Sequence, residues 1–230
     1  MTDIVVPKHI GFIIDGNRRW AKQHGLTTYE GHLAGYELVC EIVIAAFEAG
    51  VEYVSAYIFS TENWQRSEEE VGNLMGLVLK LLTTDLIKLS DKNVKLKILG
   101  SRDRLSDDIL SAIEEAESTT AKNTGGTLAL CFNYGGQLEV VDAVKKIVQS
   151  GIKSDDITVE MISKNIYTPE IPPIDIVVRT SGEKRLSNFM LWRTTYSEIM
   201  FFDKMWPDMT KDDVTDIINE YSKRSRRFGR

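Results

Sequence analysis

The chain has 230 residues, 43% hydrophobic and 27% charged, with a formal net charge of −6 at pH 7. This is ordinary globular composition, enough for one sizeable core in a single domain spanning 1–230. The acidic balance argues against a nucleic-acid partner, so any basic site has to be local. Cys40 and Cys131 lie far apart in apolar segments and read as buried thiols in a reducing compartment, without metal-ligand spacing. No apolar run of about 18 residues occurs and the N-terminus lacks a signal pattern, which predicts a soluble, cytoplasmic protein.

The stretch from His9 to Trp20, His-Ile-Gly-Phe-Ile-Ile-Asp-Gly-Asn-Arg-Arg-Trp, reads as strand, loop and helix. Ile10 to Ile14 is short, apolar and β-branched, as a central strand of a doubly covered parallel sheet requires. Asp15 then stands at its carboxyl end, where open α/β sheets bind ligands. Gly16-Asn17 allows a tight turn, and Arg18 and Arg19 open a helix running to Gly25. A carboxylate, a glycine turn, a helix start and two guanidiniums suit a diphosphate held with a divalent cation. On this stretch alone, a plain loop with Asp15 as a helix cap fits equally well.

Further along, Leu26 to His32 reads as a polar loop and Ala34 to Ala49 as an amphipathic helix stopped by Gly50. Val51 to Phe59 is a second strand that delivers Ser60-Thr-Glu-Asn-Trp-Gln-Arg66 at its end. Ser67 and Glu70 form a capping box for one long leucine-rich helix over 68–90. At roughly 1.5 Å per residue that helix could line an elongated apolar tunnel, although core packing is the commoner role of such leucines. Val94 to Leu99 is a third strand, Ser106 to Asn123 a helix and Thr127 to Phe132 a fourth strand followed by Asn133-Tyr-Gly-Gly136. Helices follow over 137–149 and 158–165, then a proline-stiffened linker. Ile174 to Val178 is a fifth strand delivering the polar segment Arg179 to Asn188, and Trp192 to Phe202 is a last strand. Thr210 caps a closing helix that leads into a basic tail. The alternation predicts an α/β domain whose parallel sheet of about six strands lies between helices, with right-handed crossovers.

The long motif at 9–20, Gly31-His32-x-x-Gly35, Phe59 to Arg66, Asn133 to Gly136 and Arg179 to Trp192 together resemble the cis-prenyltransferases, the undecaprenyl diphosphate synthase family. The resemblance covers essentially the whole chain. It implies Mg²⁺-dependent addition of isopentenyl diphosphate to an allylic diphosphate with Z geometry, by a homodimer with peripheral membrane contact for product release. It further implies that Asp15 binds Mg²⁺ and assists departure of the allylic diphosphate. Gly16, Asn17, Arg18, Arg19, Trp20, Thr28 and His32 would hold that diphosphate. Asn63 would stand where the proton leaves the condensing unit; an amide is a weak base, so it orients while diphosphate or water takes the proton. Ser60, Thr61, Glu62, Trp64 and Arg66 surround it. Arg179, Arg185, Leu186 and Ser187 match the isopentenyl diphosphate site, and Glu198 a second Mg²⁺-linked carboxylate. Trp192, Tyr196 and Phe201 are assigned to core or interface. The terminal Arg227-Phe-Gly229 resembles an R-x-G element that in relatives reaches the neighbouring subunit's site.

Three positions depart from the family pattern. Thr28 stands where an arginine is frequent, so that Arg18 would substitute; Ser67 replaces a proline and Arg193 a glutamine. Asp212-Asp-Val-Thr-Asp216 spells the metal motif of the trans-type synthases, which are all-helical and need two copies; here Thr210 and Asp213 form a capping box instead. A non-catalytic partner subunit would lack Asp15. Bulky Ile58 and Tyr36, if they face the apolar space, would shorten the product.

Overall fold

The computed structural model describes residues 4–224 of the chain. Its first half runs β1 His9–Ile13, α1 Asn17–Gln23, α2 Thr28–Glu48, β2 Tyr53–Ser60, a 3-10 turn Thr61–Gln65, α3 Glu68–Leu82, α4 Leu86–Asp91 and β3 Lys95–Leu99. The second half runs α5 Asp107–Thr120, β4 Thr127–Tyr134, α6 Gly136–Gln149, α7 Val159–Asn165, β5 Ile176–Arg179, β6 Glu198–Phe201 and α8 Lys211–Lys223. The strands form one parallel sheet in the order β3-β4-β2-β1-β5-β6. Every residue of β1 is buried, because helices cover both faces. Alternation along the strand sends Ile10 and Phe12 into a larger core with Val39, Leu81 and Ile217. Ile13 joins a smaller core with Val177, Phe189 and Met190. From β1 the chain proceeds to β2 on one side and later reaches β5 on the other. The carboxyl end of β1 is therefore the topological switch point, where an α/β sheet leaves a crevice.

Three local expectations are corrected. Leu26 to His32 is not a loop throughout: Thr27 accepts from the Glu30 amide while Glu30 accepts from the Thr27 amide, and this capping box starts α2 at Thr28. The single helix over 68–90 is two helices, α3 and α4. The Thr83 hydroxyl bonds back to the Leu79 carbonyl at 2.8 Å, and the β-branched Thr83-Thr84 pair gives way to Asp85 at the start of α4. The last strand is only Glu198–Phe201. Upstream of it Ser187, Asn188 and Met190 take positive φ angles of 47°, 65° and 40°, a loop conformation that buries Phe189 and Met190. The helix cap at Thr210 stands as expected, with Asp213 completing the box and also bonding Lys204 at 2.7 Å, so the acidic run is structural. Both cysteines are free thiols. Among the described residues no helix is long and apolar enough to cross a membrane.

His9 ties the start of β1 to the sheet. Its Nδ1 lies 2.9 Å from the Pro172 carbonyl oxygen, which can only accept, so Nδ1 carries the proton and Nε2 accepts from the Ser55 hydroxyl at 2.8 Å. Burial pushes the imidazole pKa down from 6.5 to about 4. Between those values the unfolded chain takes up a proton that the native chain refuses, so stability falls as pH is lowered through that window. At 1.36 kcal/mol per pKa unit the loss is about 3 kcal/mol. Urea unfolding between pH 7 and pH 4.5 should show a weaker pH dependence in His9→Gln than in the parent. Identical dependences would remove His9 as the cause.

Candidate active site

The site begins where β1 ends. The Asp15 amide donates to the Thr180 hydroxyl at 3.0 Å, and that hydroxyl donates to the Asp15 carbonyl at 2.6 Å, which pins the two strand ends together. Gly16 turns the chain at φ 114°, and a Cβ there would stand 2.8 Å from the Met205 sulfur. Only glycine fits that turn. Gly31 and Gly35 let α2 press against Asn17: an added Cβ would lie 2.3 Å from its carbonyl oxygen at Gly31 and 2.3 Å from its Oδ1 at Gly35. The spacing of that Gly-His-x-x-Gly motif is thus a packing requirement that seats the start of α1 and brings His32 beside it.

Three connected spaces result. A polar basin of about 850 Å³ is walled by Asp15, Gly16, Asn17, Arg18, Arg19 and His32, with Thr28 at its rim. A second, of about 560 Å³, is walled by Ser60, Glu62, Asn63, Arg179, Arg185 and Ser187. Ile14, Asp15 and Arg66 belong to both. Between them opens an apolar cavity of about 130 Å³, with Asn17, His32, Asn63 and Arg66 around its mouth and Tyr36, Ile58, Leu77 and Leu81 among its walls.

Guanidiniums dominate both basins, and each is held by a carboxylate of the same chain. Arg179, almost fully buried, donates to Asp15 Oδ2 at 2.8 Å, to the Ser187 hydroxyl at 2.7 Å and to the Arg185 carbonyl. Arg19 lies 3.5 Å from Asp15 and bonds Ser181 and Glu183. Partial burial opposes the Asp15 charge, but the Arg179 hydrogen bond and the charges of Arg179 and Arg19 outweigh it and hold the carboxyl below its usual pKa. Asp15 is ionised at neutral pH. Glu70 is the hub of the first basin: it accepts from Arg66 at 2.9 Å and from His32 Nε2 at 3.1 Å, with Arg18 at 3.8 Å. Burial drives the His32 pKa down despite Glu70, so His32 enters as a neutral donor. Asn63 commits its Oδ1 to the Ser60 amide at 3.0 Å, leaving its NH₂ as the group that can meet a ligand.

Not every predicted residue converges here. The Trp20 indole stacks on His24 and bonds Asp208, outside the basins. Trp64 donates to Asn133 and carries Arg104 over its ring, supporting the 3-10 turn from behind. Thr61 bonds Glu62, and Leu186 packs against the smaller core. Glu198 begins β6 opposite Ile176, the end of the sheet away from Asp15, and pairs with Arg224 at 3.2 Å. Within one chain it does not meet Asp15. Arg227-Phe-Gly229 lies outside the described residues.

Glu70, Thr180, Ser181 and Asn188 contribute to the site without having been singled out from sequence. Glu70 had a visible signal, Ser-x-x-Glu, but only half of the capping box forms. Ser67 accepts from the Glu70 amide at 3.3 Å, while the Glu70 carboxylate turns to the basin.

Among the described residues no cluster of three metal-ligating side chains exists, so no all-protein cation cage is present. One ionised carboxylate facing two cationic basins fits another mode, in which a divalent cation keeps few protein ligands and takes the rest from bound phosphates. Asp15 is the residue that could hold such an ion.

Two guanidinium-lined basins that share one carboxylate and flank an apolar cavity, at the switch point of a parallel sheet, are the makings of a site for phosphorylated ligands with an apolar tail. Residues 13–229 match the prenyltransferase family described as undecaprenyl diphosphate synthase. Isoprenyl transferases from Agrobacterium fabrum and Thermotoga maritima are 44% and 43% identical to the chain, each over 97% of it and over 92% and 97% of their own lengths. Lavandulyl diphosphate synthase from Lavandula x intermedia, solved with dimethylallyl diphosphate, superposes with a TM-score of 0.94 at 33% identity, covering 99% of this chain and all of that one. The chain belongs to this family and is a prenyl-transferring enzyme, of a class that acts on prenyl diphosphates and depends on metal.

Proposed function

We propose that the enzyme condenses isopentenyl diphosphate with an allylic diphosphate, creating a Z double bond, with Mg²⁺ as its metal. The observation that carries this reading is the convergence of both basins and the apolar cavity on Ile14 and Arg66, with Asp15 shared by the two basins and Asn63 by the cavity and the second basin. The first basin takes the allylic diphosphate: Arg18, Arg19 and the amides of the Gly16-Asn17 turn donate to its oxygens, while His32, its single N–H given to Glu70, fixes that carboxylate beside Arg18 and Arg66. Its hydrocarbon tail enters the apolar cavity. The second basin takes isopentenyl diphosphate on Arg179, Arg185 and Ser187, whose fixed guanidinium forks match phosphate oxygens. Asp15 would hold the Mg²⁺, which when bound would supply electrostatic stabilisation of the departing diphosphate. Asn63, at the edge shared by cavity and second basin, orients C2 of the isopentenyl unit so that the proton it loses points to a diphosphate oxygen or water. Condensation then joins the allylic C1 to the C4 of the isopentenyl unit, releases diphosphate and expels that proton.

A homodimer is part of the same reading. Tyr196, Ile199 and Phe201 expose apolar area on and beside the edge strand β6, which a second chain would cover.

Incubating the protein with labelled isopentenyl diphosphate and dimethylallyl, geranyl or farnesyl diphosphate, with Mg²⁺ or with chelator, tests the reaction. Label should enter a prenyl product only with metal, and the new double bond should be Z by NMR. Product without metal, or an E bond, would refute the proposal. Ile58 lines the apolar cavity, so Ile58→Ala should lengthen the product by at least one unit; an unchanged distribution would make Ile58 ordinary core.

A further inference from the structure

Two polar links tie α2 to the helices opposite it, one turn apart along α2. The first, His32 to Glu70 at 3.1 Å, stands at the mouth of the apolar cavity. The second joins Tyr36, whose ring walls the cavity, to the carboxylate of Asp85, which the Tyr36 hydroxyl reaches directly. Asp85 is only 6% exposed and sits where α3 breaks and α4 begins. Lys88 bonds its other oxygen at 2.7 Å, and Lys80 lies 3.8 Å away with its ammonium over the Tyr36 ring. A carboxylate with so little exposed surface is tolerated only while these partners are kept.

The apolar cavity that His32 and Tyr36 help to wall, together with Val39, Val78 and Leu81, is about 130 Å³. A cavity of about 150 Å³ accepts a benzene ring, six carbons, so this one holds a single five-carbon unit. Drug-sized ligand pockets run from about 300 Å³ upward. A longer chain needs these walls to give way, and Tyr36 is the wall held by a hydrogen bond to Asp85; swinging its ring leaves a little-exposed carboxylate one bond short.

We propose that the Tyr36–Asp85 hydrogen bond, braced by Lys88 at the break between α3 and α4, is a product-length stop that restricts the enzyme to short allylic starters and short products. The inference rests on the prenyl-transfer reading above and deepens it. Ring bulk alone and the hydrogen bond make different predictions. Tyr36→Phe keeps nearly all the volume and removes the bond; Asp85→Asn keeps the shape of the acceptor and weakens it.

The test is mass spectrometry of prenyl alcohols formed from dimethylallyl diphosphate and excess isopentenyl diphosphate by the parent, Tyr36→Phe, Asp85→Asn and Tyr36→Ala, each checked for folding by circular dichroism. The parent should stop after one or two additions, and both conservative variants should move the principal product up by at least one unit. A parent that makes long polyprenyl chains overturns the stop. So does lengthening in Tyr36→Ala with profiles of Tyr36→Phe and Asp85→Asn superimposable on the parent, which would leave bulk as the determinant. A folded parent that incorporates no isopentenyl diphosphate with any starter would instead refute the prenyl-transfer reading, and the stop with it. Should Tyr36→Phe not fold, Asp85→Asn decides alone.

Discussion

Asp15→Asn is expected to reduce turnover by about 10²–10³-fold or more while leaving the fold intact, the range seen when one preorganised electrostatic group is removed from an active site. The asparagine keeps the shape and an acceptor for Arg179 but no charge for a divalent cation. Nothing in the core depends on this side chain: its contacts are Arg179, Arg19 and the strand-end loop. Arg179 retains the Ser187 hydroxyl and the Arg185 carbonyl, so the buried guanidinium is not abandoned. Turnover and thermal stability should therefore separate. Measured kcat with saturating Mg²⁺ and both diphosphates decides, with a melting curve as control. Near-parental kcat in folded Asp15→Asn would remove this carboxylate from the chemistry.

Arg185→Ala and Arg179→Ala should both weaken isopentenyl diphosphate, but with different kinetic signatures. A hydrogen bond to a charged group contributes about 1.5–3 kcal/mol, or roughly a ten- to hundred-fold rise in KM. Arg185 is more than half exposed and pairs only with Glu183 and its own loop, so its loss should raise KM with kcat nearly kept. Arg179 also holds Asp15, so its removal should raise KM and lower kcat together. Arg179→Lys should recover little, because an ammonium cannot span Asp15, Ser187 and a phosphate with one fixed fork. Steady-state kinetics with isopentenyl diphosphate as the varied substrate provide the reading. An Arg185→Ala enzyme with unchanged KM would show that the second basin does not hold that substrate.

Much of this site was legible from the chain alone because its parts are local. Asp15 follows a short apolar strand, Asn63 and Arg66 follow another, and Arg179 ends a third. A parallel sheet necessarily brings such ends to one edge, so three polar clusters at three strand ends imply one crevice. Gly16 was readable as a tight turn, whereas Gly31 and Gly35 were legible only as part of a motif, and the structure supplies their neighbours, Met205 and Asn17.

What sequence could not determine is which way a side chain turns once several partners compete for it. Glu70 satisfies the pattern of a helix cap, yet Arg66, Arg18 and His32 offer charge and hydrogen bonds that its own helix start cannot match. Glu198 carries the right residue type, but register places it opposite Ile176, at the far end of β6 from the crevice. Helical periodicity runs unbroken through 68–90, while the backbone breaks at Thr83 because local hydroxyl bonding and the Tyr36–Asp85 contact compete with the helix. The order of strand ends and the identity of their polar residues were thus determined by the sequence, since hydrophobic period and turn chemistry act over a few neighbours. The tertiary structure alone decided which carboxylate meets which guanidinium and how deep the apolar cavity runs. Those depend on contacts between residues tens to more than a hundred positions apart, where only packing selects the partner.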